Sequence, residues 1–408
     1  MELDAETTSS ILSSLQRLHT NSSIITSTDD IKYLRNVCAK GLSVQNFISS
    51  FPEIIPTIQH LILTLNDDKS KFLWQFIANL CVQNEDTQSF IFNNLGEFIM
   101  TSCLEQRIDE TTNIKLMILY NIHNGDSSVF SDSTAFSFIT KVWSRIIEQQ
   151  NDFNLEFLHL FFEHFLVNYH WTVKSYAALP SDQKTVVLKY ILSYLQNNSP
   201  NGPIKSLFLQ HISKEFKIKS DCILKTVASY VENVNCVEVL SLLKVIASAT
   251  GTDLYSEIYT KDHSLYLNVG SMLKFLNEIS SRMGGIFAPM NKLEQVAPNS
   301  NICHDFEKEM SFELKTLLVR TLANLSYNNR KNQEYAREMD FIRAVLNCTQ
   351  VDARNPLMKE WSIVAVRNLC DGCFENQEFI KSLTKVGDAS NDLLKELNLE
   401  MGSLRIGN

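Results

Sequence analysis

The sequence predicts an all-α solenoid, in which repeated helical units stack side by side. Helical periodicity dominates the 408 residues, and Gly (12) and Pro (8) are both scarce. A short pattern also recurs: 319–335 matches 363–379 at a constant offset of 44 residues. A hydrophobic content of 44% is ample for a core, but the chain is too long for one compact core. A fixed period of this size is typical of repeat proteins.

Each copy of the pattern carries an asparagine near the end of a predicted helix. The five positions are Asn36, Asn79, Asn121, Asn324 and Asn368. In four copies a Gln follows nine residues later and an aromatic residue two further on, whereas the Asn121 copy lacks both. These pairs are Gln45/Phe47, Gln88/Phe90, Gln333/Tyr335 and Gln377/Phe379. The stretch between Asn121 and Asn324 has room for about five more intervals of roughly 41 residues, the length of armadillo or HEAT units.

Apolar residues occupy the same three positions in every copy, at minus five, minus two and plus one from the Asn. They are Ile31/Leu34/Val37, Trp74/Ile77/Leu80, Leu116/Leu119/Ile122, Val319/Leu322/Leu325 and Ile363/Val366/Leu369. This spacing places them on one helix face, with the Asn about 160° from its centre. We therefore expect each Asn to face solvent or a partner, and the aromatic after the Gln to be the first core residue of the next helix.

The remaining segments follow the same helical scheme with weaker patterns. A helix stripe of Ile11, Leu12, Leu15 and Leu18 is interrupted at 20–23. The apolar stretch 155–162 predicts a helix, Asn355-Pro356 predicts a helix start, and Ser248 occupies the Asn position of a faint copy. The predicted divisions are 1–29, an N-terminal helix or loose segment; 30–130, armadillo-like repeats; 131–300, degenerate repeats with loops at 197–203 and 284–301; 301–399, a C-terminal domain with two repeats and a short helix at 386–397; and 400–408, a tail.

Composition argues against several classes of function. The net charge is -9 with no Lys/Arg-rich run, which disfavours nucleic-acid binding. No apolar run approaches the roughly 20 residues of a membrane span, and the acidic start lacks a signal-peptide layout. Nine cysteines without framework spacing are typical of reduced thiols. We therefore expect a cytoplasmic protein.

Two motifs resemble chemical sites but have simpler explanations. Cys370 and Cys373 form a C-x-x-C, yet Cys370 occupies the repeat position that Cys38 and Cys81 also occupy. His159 and His164 are five residues apart and about 140° around a helix, so they do not share the face that a metalloprotease motif requires. No nucleotide-binding or hydrolase motif occurs. We expect no enzyme activity, no cofactor and no metal.

The Asn positions are the candidate binding site, together with two arginines. The predicted protein-binding residues are Asn36, Asn79, Asn121, Arg320, Asn324, Arg367 and Asn368. An Asn amide offers both donors and an acceptor to an extended peptide. The alternative is that each Asn bridges the backbones of neighbouring repeats, and that the arginines are simply solvated. Phe72, Leu317 and Trp361, each seven residues before an Asn, either line a groove or pack on the preceding helix.

The copies resemble armadillo repeats, whose third helix carries an Asn on the concave surface. The tryptophan that armadillo repeats usually carry four residues before this Asn is replaced in every copy. Its position holds Lys32, Gln75, Met117, Arg320 and Val364. The fold class implied is an armadillo/HEAT-like helical-repeat solenoid, but peptide capture of the nuclear-import type depends on the missing tryptophan.

A more specific resemblance covers the C-terminal part of the chain. The block Asn355–Ile380 resembles the characteristic C-terminal domain of the ataxin-10 family, and 34–47 and 386–394 fit the same family. The resemblance implies a cytoplasmic adaptor that is perinuclear or associated with the centrosome and midbody, and able to form homo-oligomers. It implies roles in cytokinesis, cell survival and neurite outgrowth. The implied partners are an O-linked N-acetylglucosamine transferase and a G-protein beta subunit.

These observations predict a non-catalytic scaffold whose stacked repeats bind proteins along an extended face. The alternative is a regulatory subunit that modulates a bound enzyme, such as a glycosyltransferase, through the tail or a loop such as 284–301. An independent catalytic activity is a third and weaker hypothesis, because no side chain in the sequence is arranged for one.

Overall fold

The computed structural model describes residues 4–20, 24–125, 128–149, 155–167, 169–196, 202–224, 235–283, 310–349, 355 and 357–383. Within these ranges the regular structure is entirely α-helical, which confirms the predicted all-α helical-repeat class. None of the described helices combines the length and hydrophobicity that crossing a membrane requires.

The chain divides into two compact units, 1–186 and 187–408. The helices of unit 1 are α1 (Ala5–Thr20), α2 (Ile24–Cys38), α3 (Leu42–Ser49), α4 (Ile54–Thr64), α5 (Asp67–Leu80), α6 (Glu85–Glu105), α7 (Glu110–Gly125), α8 (Asp132–Glu148), α9 (Glu156–Val167) and α10 (Tyr169–Ala178). The boundary falls inside α11 (Ser181–Gln196). The helices of unit 2 are α12 (Ser206–Lys219), α13 (Asp221–Leu224), α14 (Cys236–Ala249), α15 (Asp253–Thr260), α16 (His263–Met283), α17 (Met310–Ser326), α18 (Arg330–Glu338), α19 (Phe341–Leu346), α20 (Leu357–Cys370) and α21 (Phe374–Ser382).

In each unit the helices that carry the Asn pattern pack directly on one another. In unit 1, α2 packs on α5 and α5 packs on α7; in unit 2, α14 packs on α17 and α17 packs on α20. We call these six the row helices. A second layer lies behind them, in which α3 contacts α6 and α6 contacts α8, and in which α18 contacts α21. Each unit is therefore a stack of helical repeats.

The predicted apolar stripes form the core in every copy except the last. Ile31, Leu116 and Val319 are fully buried, and the stripe residues of α5 are also buried. In α20, however, Ile363 is 42% exposed and Val366 is only half-buried, so their predicted place in the core is wrong. α20 is the last described row helix, so no further described row helix covers it. In α1, Leu12 is also partly exposed although Ile11, Leu15 and Leu18 are buried.

The aromatic residue after each Gln is not the first core residue of its helix, contrary to expectation. Phe47, Phe90, Tyr335 and Phe379 are only half-buried. The buried residues are instead Gln45, Gln88 and Gln333, each below 5% exposed. A Gln side chain can occupy the interior when main-chain carbonyls accept its amide hydrogens, and these carbonyls lie at the ends of the row helices.

Even spacing of about 41 residues does not hold through the middle of the chain. α14 and α17 are neighbours, yet Ala247 and Asn324, which are bonded to each other, are 77 residues apart. Two described helices, α15 and α16, lie between them in the sequence, the same number as between α17 and α20. The predicted helix at 155–162 is confirmed as part of α9. The interruption at 21–23, the loop 284–301, most of the loop 197–203, Pro356 and the tail helix 386–397 lie outside the described residues.

Candidate functional site

Three of the five pattern asparagines form the same bond to the preceding row helix. The Nδ2 atom of Asn79 donates to the Arg35 carbonyl at 2.9 Å, and that of Asn368 donates to the Ala323 carbonyl at 2.9 Å. In both cases the acceptor immediately precedes the Asn of the neighbouring helix. The Nδ2 atom of Asn324 donates to the Ala247 carbonyl at 3.3 Å. Because Ala247 immediately precedes Ser248, the faint copy predicted at Ser248 is confirmed as a repeat position.

We call this set of bonds the Asn ladder. It explains why the three ladder residues are half-buried rather than fully solvated. The Asn ladder matches the alternative interpretation of the sequence, in which each Asn bridges the backbones of neighbouring repeats instead of binding a peptide. Each bond uses one of the two Nδ2 hydrogens, and Asn324 donates the other one to the Thr250 Oγ1 atom at 3.2 Å. Within the described residues the Oδ1 atoms of the three ladder residues accept no hydrogen bond. Asn79 and Asn368 therefore keep one donor and one acceptor available, whereas Asn324 keeps an acceptor only.

The other two pattern asparagines do not join the ladder. Asn36 is exposed, and its Oδ1 atom accepts from the Arg35 guanidinium at 3.1 and 3.0 Å. Asn121 is half-buried and makes no hydrogen bond to the part of the chain that the structure describes. The ladder is therefore interrupted at α7.

A cation lies over an aromatic ring at the same register in both units. In unit 1 the Lys32 Nζ atom lies 4.7 Å from the Phe72 ring centroid. In unit 2 the Arg320 Cζ atom lies 5.1 Å from the Trp361 ring centroid. Each cation is four residues before an Asn, and each ring is seven residues before the Asn of the next repeat. We call these two contacts the cation–aromatic pairs.

The pairs put basic side chains where armadillo repeats usually carry tryptophan. All four side chains are half-buried, so charge and ring both reach the surface beside the Asn ladder. Burial lowers the pKa of Arg320, and its Nε atom is buried without a hydrogen-bond partner among the described residues. An arginine held against a ring, with its side chain still half-exposed, is a ready contact for an acceptor on a partner.

The remaining predicted residues of the face differ in exposure. Arg367 is exposed on α20. Phe72 and Trp361 both contact cations of the preceding row helix, as the packing alternative required, while keeping part of each ring exposed. Leu317 is only 8% exposed, so it belongs to the core rather than to a groove.

The glutamines of the pattern are structural residues whose role the sequence did not reveal. The Gln45 Nε2 atom donates to the carbonyls of Asn79 at 2.9 Å and Val82 at 3.2 Å, both in the next repeat. The Gln333 Nε2 atom donates to the equivalent carbonyls, those of Asn368 at 2.9 Å and Asp371 at 2.8 Å. The two residues whose carbonyls accept these bonds have the same spacing in both units. This shared spacing is the signal that would have revealed the role of the glutamines.

The asparagine just before two of these glutamines is also buried. Asn332 and Asn376 are fully buried, and their Nδ2 atoms donate to the carbonyls of Leu325 and Leu369, seven residues earlier. Asn376 also donates to the Gln333 carbonyl at 3.0 Å, across the repeat boundary. The Asn-Gln-Glu sequence shared by the two C-terminal copies is therefore a device for joining repeats.

The cysteines of the pattern are packing residues. Cys38 and Cys81 are fully buried, and burial raises the pKa of both thiols, that of Cys38 to about 12. Burial, together with the neighbouring Cys373, also raises the pKa of the half-buried Cys370. Thiols with a raised pKa carry little thiolate at neutral pH and are poor nucleophiles.

The two histidines of α9 contact different neighbours, as their spacing predicted. The His159 ring packs on Trp143 with a centroid distance of 5.2 Å. The His164 ring lies edge-on to His123 of α7 at 5.1 Å. His159 and His164 therefore do not meet at a common site.

Comparison with known proteins gives one consistent result. A family model described as the spinocerebellar ataxia type 10 protein domain matches residues 314–407. Ataxin-10 of Bos taurus is 24% identical over 402 residues, which cover 94% of this chain and 81% of that protein. An Ataxin-10 homolog of Dictyostelium discoideum is 51% identical over 88 residues, which cover 22% of this chain and 14% of that protein. A crystal structure of an engineered protein aligns with 88% of this chain and 98% of its own, at 8% identity and a TM-score of 0.33, too low to support an inference.

Proposed function

Because this chain belongs to the ataxin-10 family of non-enzymatic helical proteins, we propose that it is a scaffold that binds segments of other proteins along its row helices. The observation that carries this proposal is the repetition of the cation–aromatic pair at one register in both units. Folding alone favours apolar side chains between neighbouring helices. Half-exposed Arg and aromatic side chains are instead residues that protein interfaces use as anchors, and Lys32 adds a cation over its ring in the same way.

The chemistry of the face favours an extended, acidic segment as the bound element. Lys32 and Arg320 attract carboxylates, and the adjoining rings cover apolar side chains of the partner. The amides of Asn79 and Asn368 offer a donor and an acceptor to a partner's main chain, which an extended segment presents and a folded helix does not. The whole chain is acidic, at -9, so the local cation in each unit concentrates attraction beside the row helices of that unit.

The test uses variants that keep the Asn ladder intact. The double variant Lys32→Ala/Arg320→Ala removes both cations, and quantitative mass spectrometry after affinity purification from cells compares it with the wild type. The matched control is Arg343→Ala, because the Arg343 Cζ atom also lies over a ring, that of Phe379 at 5.6 Å, but this pair joins α19 and α21, which are not row helices. Unfolding curves first establish that both variants fold.

We expect the double variant to lose a defined set of partners and the control to retain them. Partners retained equally by all three proteins would contradict the proposal. The asparagines themselves are less suitable for this test, because Asn79, Asn324 and Asn368 also hold neighbouring repeats together.

We propose the finer roles on the family relationship alone. These are a cytoplasmic, perinuclear or centrosomal adaptor with functions in cytokinesis, cell survival and neurite outgrowth. The proposed partners are an O-linked N-acetylglucosamine transferase and a G-protein beta subunit. Binding of each purified partner to wild type and to Lys32→Ala/Arg320→Ala tests them separately, since a partner bound on this face loses affinity and a partner bound elsewhere does not.

A further inference from the structure

Three polar side chains meet in unit 1 away from the cation–aromatic pairs. They are His123 near the end of α7, Asp132 at the start of α8 and His164 on α9. One ring nitrogen of each histidine and one carboxylate oxygen lie within 4.8 Å of one another. The His123 Nε2 atom is 2.6 Å from the Asp132 Oδ1 atom, and the two imidazole rings are perpendicular. Three helices thus contribute one candidate metal ligand each.

His123 departs from the repeat pattern. It lies two residues after Asn121, at the position where the other copies have Cys38, Cys81, Ser326 and Cys370. Its side chain is 1% exposed, and its Nδ1 atom is buried without a hydrogen-bond partner among the described residues. Neither ring nitrogen of His164 has a hydrogen bond to those residues. Burying polar nitrogens unpaired is costly, so a small thiol or hydroxyl would be the better packing residue here.

We propose that His123, Asp132 and His164 bind a divalent transition-metal ion of the Zn²⁺ type. Two imidazoles and a carboxylate are ligands that Zn²⁺ accepts, and three protein ligands leave a fourth position for water. Donor atoms around a tetrahedral Zn²⁺ lie about 3.4 Å apart, given Zn–N and Zn–O distances of about 2.1 Å. The donor separations in the structure lie on either side of this value, from 2.6 Å between His123 Nε2 and Asp132 Oδ1 to at most 4.8 Å across the cluster.

The surroundings suit a bound cation. The rings of Phe130, Phe161 and Phe165 contact His123 and shield its side chain, which is only 1% exposed, from bulk solvent. In such surroundings a divalent ion next to the Asp132 carboxylate is held more strongly than in water.

The site coincides with the interruption in the Asn ladder. Asn121 makes no bond to the preceding row helix, and the Oε1 atom of Gln88, which lies beside Gly125, is buried without a partner among the described residues. The end of α7 therefore lacks the contacts that join other row helices to their neighbours. A metal ion that ties α7 to α8 and α9 supplies the missing connection, and its binding stabilises the folded state.

The test is a titration of the metal-free full-length chain with Zn²⁺ in competition with a chromophoric chelator. We expect the wild type to bind one tight equivalent and His164→Ala to bind at least about tenfold more weakly. The matched control is His159→Ala, on the same helix but packed on Trp143, and we expect it to bind like the wild type. X-ray absorption on the wild-type complex should show two imidazole ligands and oxygen.

The proposal is overturned if the wild type binds no tight equivalent, or if His164→Ala retains the wild-type affinity. If His164→Ala does not fold, the absorption spectrum of the wild type decides: sulfur ligands, or fewer than two imidazoles, exclude this site. The experiment is independent of the scaffold function, because no cation–aromatic pair contributes a ligand.

Discussion

At the scale of single residues, the asparagines of the repeated pattern have two different roles. Asn79 bonds to the preceding helix, whereas Asn36 bonds only to its neighbour Arg35. We predict that Asn79→Ala lowers the free energy of unfolding by about 1 kcal/mol more than Asn36→Ala, which serves as the control. Both replacements gain the same helix propensity, so the difference isolates the ladder bond. Urea unfolding measures it, and equal effects would contradict the structural role.

A second residue-scale prediction concerns Asp262, just before α16. Burial disfavours its charged form, but bonds from Lys217, Ser213, Ser264 and the Leu265 N–H outweigh burial and lower its pKa from 3.8 to about 2. Because the folded pKa lies below the unfolded one, the contribution to stability is complete above about pH 5 and is lost as pH falls towards 2.

We therefore predict that Asp262→Asn costs about 1 to 2 kcal/mol at pH 6, after allowance for the partial exposure of the carboxylate. The difference between wild type and variant should fall by about half at pH 3, because Asp262 then takes up a proton in the unfolded wild-type chain while the folded chain keeps the carboxylate charged. Urea unfolding at several pH values measures it. A difference that stays constant with pH would show that the charge of Asp262 is not responsible.

At the scale of helices, the buried glutamines join one repeat to the next. Gln333 donates to two carbonyls of the α20 turn, whereas the equivalent Gln377 is exposed and donates only to Cys370 of its own repeat. We predict that Gln333→Leu costs about 2 kcal/mol, because two carbonyls lose their donor, and that Gln377→Leu costs about 0.5 kcal/mol or less.

Hydrogen exchange gives the local measurement for this pair. In Gln333→Leu, the amides of the last turn of α20 should exchange faster than in the wild type, because the bond that ties this turn to α18 is gone. In Gln377→Leu they should exchange at the wild-type rate. Equal acceleration in both variants would mean that Gln333 does not couple the repeats.

The helices and most of the core were predictable from sequence because apolar spacing alone determines which helix face is buried. The stripe at minus five, minus two and plus one gives the buried Ile31, Leu34 and Leu322 correctly. It fails at Ile363, because burial there depends on a neighbouring helix that the local pattern does not specify.

For the candidate site, the sequence predicted which positions repeat but not what their polar side chains bond to. A polar side chain may be solvated or may bond to a main-chain carbonyl of the next repeat, and periodicity does not distinguish the two. The sequence therefore predicts burial for the aromatic residue after each Gln, whereas Gln45 and Gln333 themselves are the buried residues. The ladder partner of Asn324 is a carbonyl, which every residue type has, so Ser248 fills this position without leaving an obvious motif.

At the scale of the whole molecule, a partner that binds through several repeats loses affinity on substitution differently from a partner that binds at one site. The two cation–aromatic pairs lie in different units and share no residue. If a partner segment contacts both, removal of one cation leaves the other contact intact. Free energies lost at independent sites that share no residue add, so the fold-changes in affinity multiply.

We predict that Lys32→Ala and Arg320→Ala each weaken a partner identified in the affinity purification by about threefold to fivefold, corresponding to a contact of about 1 kcal/mol. The double variant should then weaken it by about 10-fold to 25-fold, and added salt should reduce the wild-type affinity because exposed charges are screened. Titration of the purified partner measures all four proteins. A loss confined to one single variant would indicate one local site, as expected of a regulatory subunit, and would exclude a partner that contacts both pairs.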